Sequence, residues 1–92
     1  MNKIHHEEAL KTLKTAKGQL ESTIKMIEEN RYCIDISKQV LAVTALLKKA
    51  NIQILKKHLE SCVLDAALSK DSTEISIKIK ELEDTLEYIN RV

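Results

Sequence analysis

Proline is absent from this chain of 92 residues, and glycine occurs once, at Gly18. Without those breakers the backbone has few places to turn, which excludes a fold of many short elements. Tryptophan and phenylalanine are absent too, leaving Tyr32 and Tyr88 as the aromatics. A single short chain with so few large apolar groups closes only a thin core, and long helices in that position usually complete their burial in an oligomer. No apolar run approaches the roughly 18–20 residues of a membrane span. The opening residues, Met1 to Glu8, lack the apolar stretch of a secretory leader. Two cysteines are too few for a disulfide scaffold. The expected setting is therefore a reducing cytoplasm, where thiols act as ligands, reactive groups or buried fillers.

What is present favours helix. The chain is 43% hydrophobic and 32% charged, rich in the straight-chain residues that lose little freedom in a helix. One all-α domain spanning residues 1–92 is expected, built from three blocks. In the first, from about Ile4 to Glu29, Leu10, Leu13, Leu20, Ile24 and Ile27 recur at helical spacing, with Ala16 in the gap. Asn30 suits a left-handed stop. The second runs from Cys33 to about Leu68. Ile36, Val40, Val43, Leu47, Ala50 and Ile54 form one stripe there, and Leu55, Leu59, Cys62 and Ala66 another. The third, a shorter C-terminal helix, starts near Asp71, where Asp71 and Glu74 have the spacing of a capping box. It carries a heptad seam of Ile75, Ile79, Leu82, Leu86 and Ile89.

The net charge of +1 conceals an asymmetry. Residues 31–62 hold six positive and two negative charges, a net of +4, whereas residues 63–92 are net −3. A basic band of this kind suits phosphate, although a solvated helix face has the same appearance.

His58 and Cys62 lie four apart on the second block, so one face of a helix presents both to a shared ligand. Both donors suit soft or borderline metals. Cys33 opens the same block, where a helix N-terminus favours negative charge. It is 25 residues from His58, or about 37 Å along a continuous helix. Cys33 is thus too far from His58 and Cys62 of its own chain, and a three-donor site has to straddle two antiparallel copies. Two sulfurs and one imidazole favour Cu(I), because structural Zn(II) usually takes four ligands. His5 and His6 are the remaining nitrogen donors, on an N-terminal end expected to be disordered.

Three runs, Arg31-Tyr32-Cys33-Ile34-Asp35-Ile36, Lys57-His58-Leu59-Glu60-Ser61-Cys62 and Lys14-Thr15-Ala16-Lys17-Gly18-Gln19-Leu20, together resemble the copper-sensitive operon repressors (CsoR-type). The resemblance covers nearly the whole chain, most firmly residues 10–66. Cys33, His58 and Cys62 match the Cys-His-Cys signature of those repressors in type and spacing. Relatives that sense nickel, cobalt or formaldehyde lack the second cysteine, and persulfide sensors lack the histidine. The resemblance implies a three-helix protomer with two long antiparallel helices. It also implies antiparallel dimers that assemble as a dimer-of-dimers tetramer. Cu(I) is expected on Cys33 of one protomer and His58 and Cys62 of the other, with Tyr32 and Glu81 hydrogen-bonding the ligated imidazole. The apo form is expected to hold double-stranded operator DNA and to release it on Cu(I) binding, derepressing copper-efflux genes.

The expected DNA contacts are Lys11, Lys14, Lys17, Lys48 and Lys49. Thr12 departs from the pattern, since many members carry arginine there, and Lys17 also often stands for arginine. Arginine grips phosphate or guanine through a bidentate fork that threonine and lysine lack. Two other functions fit the residues. A persulfide or thiol-redox repressor would use Cys33 and Cys62 and dispense with His58. A copper-binding helical oligomer would lack DNA binding altogether. No catalytic triad, phosphate loop or paired catalytic carboxylates are present, so no enzyme is expected.

Overall fold

The computed structural model describes residues 5–69 and 72–91, apart from the side chains of 62–64, 66–69, 72 and 90. Its elements are three helices, α1 (Glu7–Glu28), α2 (Cys33–Ser69) and α3 (Ser72–Arg91), with no strand among the described residues. The all-α expectation holds. At 20 residues α3 is close in length to α1, at 22, and α2 is the long element at 37. Ile4 and Asp71 lie outside the described residues, and the expected capping box at Asp71 falls there with them.

The turn after α1 follows from Asn30, whose φ of 56° places it in the left-handed region. Asparagine tolerates that conformation better than other residues with a side chain. The Asn30 N–H donates to the Ile27 carbonyl (3.1 Å) and the Arg31 N–H to the Met26 carbonyl (2.9 Å). These paired bonds form a Schellman stop, which satisfies carbonyls that the helix end would otherwise orphan. The Tyr32 carbonyl then accepts the first bond of α2, from the Ile36 N–H at 3.1 Å. At its other end α1 begins after His6 with Glu7 and Glu8 in its first turn, complementing the helix dipole. His6 is half-buried, and its Nδ1 is buried without a hydrogen-bond partner among the described residues. The expectation of a disordered histidine pair therefore fails for His6.

The chain divides into two compact units, residues 6–53 and residues 54–92 with 1–5. In the first, α1 and the leading part of α2 form an antiparallel hairpin, and Thr12 meets Gln53 across it. The buried stripe of α1 is Ala9, Thr12, Ala16 and Thr23, with Gln19 and Met26 half-buried on the same line. Facing residues of α2 include Val43 and Ala50, both buried, with Ile36, Gln39, Leu46 and Gln53 half-buried. Steps of three and four on both helices make this a heptad seam. The large residues of the expected α1 stripe point elsewhere. Ala16 is 3% exposed, but Leu20 is 48% and Ile24 51% exposed. Small residues let the two helix axes approach, and the large ones form a second face that the protomer leaves open.

Two threonines in this seam satisfy their hydroxyls locally. Thr23 donates to the Gln19 carbonyl at 2.7 Å. Thr12 shares its proton between the Glu8 carbonyl (3.1 Å) and Gln53 Oε1 (2.8 Å). The Thr12–Gln53 bond fixes the register of the hairpin, and its energetics have a definite sign pattern. Thr12→Val is expected to cost about 1 kcal/mol, because it leaves the Gln53 amide half-buried and unpaired. Thr12→Val with Gln53→Leu should recover most of that loss, since both partners are then apolar. Urea denaturation of the four proteins in the cycle measures the coupling directly.

In the second unit α3 turns Ile89 inward, with Ile75 and Leu82 half-buried, while Ile79 and Leu86 stay exposed. The expected seam of α3 is thus split between two faces, as on α1.

Candidate metal centre and nucleic-acid interface

All three metal-ligand candidates belong to α2. Cys33 is its first residue, exposed and with a free thiol. His58 is exposed on the same helix, and beside it Lys57 and Glu60 form an ion pair at 3.7 Å. Both partners of that pair are about half exposed, so it adds little to stability. Cys62 falls within α2, but its side chain lies outside the described residues. Among the described residues, no three of His, Cys, Asp and Glu converge into a group able to hold a metal.

The two residues expected to support His58 are both exposed. Tyr32 directly precedes Cys33 at the start of α2, its ring turned to solvent. Glu81 sits on α3, where its carboxylate pairs with Lys78 at 3.8 Å.

The lysines expected to meet DNA occupy both helices of the hairpin. Lys11, Lys14 and Lys17 on α1 are exposed, as is Lys49 on α2, while Lys48 is half-buried. They do not share one face. Lys11 and Lys14 project from the polar side of α1. Lys17 falls on the line of Leu10, Leu13, Leu20 and Ile24, where a long aliphatic stem can cover apolar surface and carry its ammonium beyond it. Thr12 is only 8% exposed and bonds across the hairpin, so it is absent from the surface where an arginine would grip phosphate.

Two residues escaped the sequence reading. Gln53 was legible only as a polar interruption of α2, although a threonine at a seam position called for a partner across the hairpin. Lys25 lies fourteen residues after Lys11, a whole number of heptads, which sets both on the polar side of α1.

The profile of the metal-sensitive transcriptional repressors matches residues 5–90. The chain is 47% identical over 60 residues to the copper-sensing transcriptional repressor CsoR of Mycobacterium ulcerans, covering 65% of this chain and 51% of that protein. It is 35% identical over 79 residues to the CsoR of Bacillus subtilis, covering 86% of this chain and 75% of that one. The chain thus spans about half the length of the mycobacterial relative. Among solved structures it is similar to the copper-sensing repressor CsoR with Cu(I) from Geobacillus thermodenitrificans. There the TM-score is 0.73 and the identity 33%, over 98% of this chain and 91% of that one.

Proposed function

The chain belongs to the metal-sensitive transcriptional repressor family, and from that premise we propose that it is a Cu(I)-responsive repressor, holding operator DNA when copper-free and releasing it when Cu(I) binds. One observation carries the reading: α2 bears two thiols and an imidazole at Cys33, His58 and Cys62 on a single uninterrupted helix. Thiolates suit soft Cu(I), and three donors leave Zn(II) short of its usual fourth ligand.

A helix rises about 37 Å over the 25 residues from Cys33 to His58, so the donor set is completed by a second, antiparallel copy. The large apolar residues left open on α1 and α2, among them Leu20, Ile24, Leu41 and Leu47, supply the surface for that copy. Cys33, His58 and Cys62 would hold Cu(I), a soft cation that favours two sulfurs and an imidazole. The thiols of Cys33 and Cys62 would release their protons to solvent on ligation. His58 would bind through one ring nitrogen and keep an N–H on the other, with Tyr32 and Glu81 as its candidate acceptors. Lys11, Lys14, Lys17, Lys48 and Lys49 meet DNA phosphates, and assembly multiplies their modest charge per chain. The working compartment is the cytoplasm, and no described helix is long and apolar enough to cross a membrane. The exposed free thiol of Cys33 also favours a second reading, a persulfide or thiol-redox sensor, in which His58 is dispensable.

Fluorescence anisotropy with a duplex from the chain's own upstream region tests the proposal. The apo protein is expected to bind, and about one Cu(I) per chain to release it. Each phosphate contact removed should lower the slope of log affinity against log salt by about 0.9. Lys11→Ala with Lys14→Ala therefore gives a shallower salt dependence without changing copper affinity. Binding that ignores Cu(I) but ends on persulfide treatment would transfer the assignment to the redox reading.

A further inference from the structure

Gly18, the chain's one glycine, lies inside α1 with no positive φ. No turn or left-handed position calls for it. Beyond its chain neighbours and the helix's own backbone, a Cβ built there meets no atom within 4 Å, so none of the described residues calls for it either. Glycine in a helix interior lowers stability relative to alanine, because its backbone has more freedom to lose. A destabilising residue with no reason inside the molecule points to one outside it. A surface that comes closer to the α1 backbone than a methyl group permits would be such a reason.

The neighbours of Gly18 identify that surface. Lys11 and Lys14 stand seven and four residues before it, and Lys25 seven after, which puts all three on its face of the helix. All three are exposed. Glu21, three residues after Gly18 and four before Lys25, shares that face as the one carboxylate between Lys11 and Lys25, leaving three cations to one anion there. The short polar side chains alongside fold back onto the helix. Thr15 donates to the Lys11 carbonyl at 3.1 Å, and Ser22 to the Gly18 carbonyl at 3.2 Å. The face is therefore low at its centre and cationic at both ends, the form that admits a polyanionic rod. Leu10, Leu13, Leu20 and Ile24 lie on another side of α1, so a second copy seated on them leaves Gly18 open.

We propose that the sugar–phosphate backbone of duplex DNA closes onto α1 at Gly18, with Lys11, Lys14 and Lys25 holding phosphates on either side. The inference rests on the DNA-binding reading above and adds to it a contact point and a further cation, Lys25.

Gly18→Ala separates the roles because stability and function move in opposite directions. The denaturation midpoint is expected to rise. Affinity for a labelled duplex of mixed sequence should fall about five- to tenfold, with a shallower salt slope, since lifting the helix weakens its lysine contacts. Cu(I) affinity and the sedimenting mass should not change. Gly18→Leu should weaken DNA binding further, and Lys25→Ala should reduce the salt slope as Lys11→Ala does. Unchanged DNA affinity in Gly18→Ala, with wild-type binding intact, overturns this inference and leaves the repressor reading standing. A change in sedimenting mass also overturns it, because the close approach then belongs to a second copy. Failure of wild type to bind either this duplex or its own upstream region removes the repressor reading, and this inference with it.

Discussion

His58→Ala is expected to abolish copper-induced release of DNA while leaving the apo protein bound. His58 is exposed, so its truncation opens no cavity. Loss of a supporting hydrogen bond to a metal ligand typically costs 10–100-fold in metal affinity, so loss of the ligand itself should cost more than about 100-fold. If copper lowers DNA affinity a hundredfold, the coupling is about 2.7 kcal/mol, and DNA must weaken copper binding by the same factor. The variant lacks the copper side of that cycle and keeps the DNA side. A mixing experiment adds a sharper outcome. Cys33→Ser and His58→Ala should each fail to bind Cu(I) tightly. In a mixed dimer, however, one of the two intersubunit sites has all its wild-type donors. Random reassortment of equal amounts should restore about a quarter of the wild-type capacity. No recovery on mixing would place all three donors in one chain and break the intersubunit reading. Copper release that survives in His58→Ala would instead direct attention to Cys33–Cys62 crosslinking.

Much of the architecture was legible because a few residues have narrow conformational choices. Asn30 marked the end of α1, and the structure gives it a φ of 56°. The breaker-free run after it became one helix, Cys33–Ser69, since no proline or glycine offers an alternative there. Spacing also singles out Cys33, His58 and Cys62 as candidates, because four-residue intervals and helix starts are local properties, and the structure places all three on α2. The proposed meeting of the donors across two chains is argued from helix length and the chemistry of sulfur alone.

The packing within the chain was less legible, for a physical reason. Periodicity identifies an apolar sector but not what covers it. Leu10, Leu13, Leu20, Ile24 and Ile27 appear as the core of α1, yet each is exposed in the protomer. The line that packs is Ala9, Thr12, Ala16 and Thr23, half of it polar by composition. Those threonines become buriable only because their hydroxyls find backbone carbonyls one turn back. Thr12 illustrates the consequence. Compared with an arginine it reads as a missing grip on DNA, whereas in the fold it is a seam residue bonded to Gln53.

That open apolar line leads to the second large effect. Leu20→Asp with Ile24→Asp is expected to dissociate the assembly and, with it, to abolish both tight Cu(I) binding and operator binding. Both residues are about half exposed in the protomer, at 48% and 51%, and neither belongs to the buried line of α1, Ala9, Thr12, Ala16 and Thr23, so each substitution leaves that line in place. Fully burying one such side chain stabilises by about 1.5–3 kcal/mol, and two-fold symmetry counts each residue twice. Losing four partly to fully buried side chains, and placing four carboxylates in their stead, exceeds what a dimer of this size can absorb. Sedimentation velocity should give the mass of one chain. Leu20→Ala with Ile24→Ala, which introduces no charge and keeps helix propensity, should instead give a concentration-dependent equilibrium, with copper capacity following the assembled fraction. If the aspartate variant stays assembled, the Leu20–Ile24 face is not the interface. If it becomes monomeric yet still binds copper tightly, Cys33, His58 and Cys62 do not act across two chains. The coupled loss of mass, copper and DNA is the outcome that ties the exposed stripe of α1 to the donors of α2.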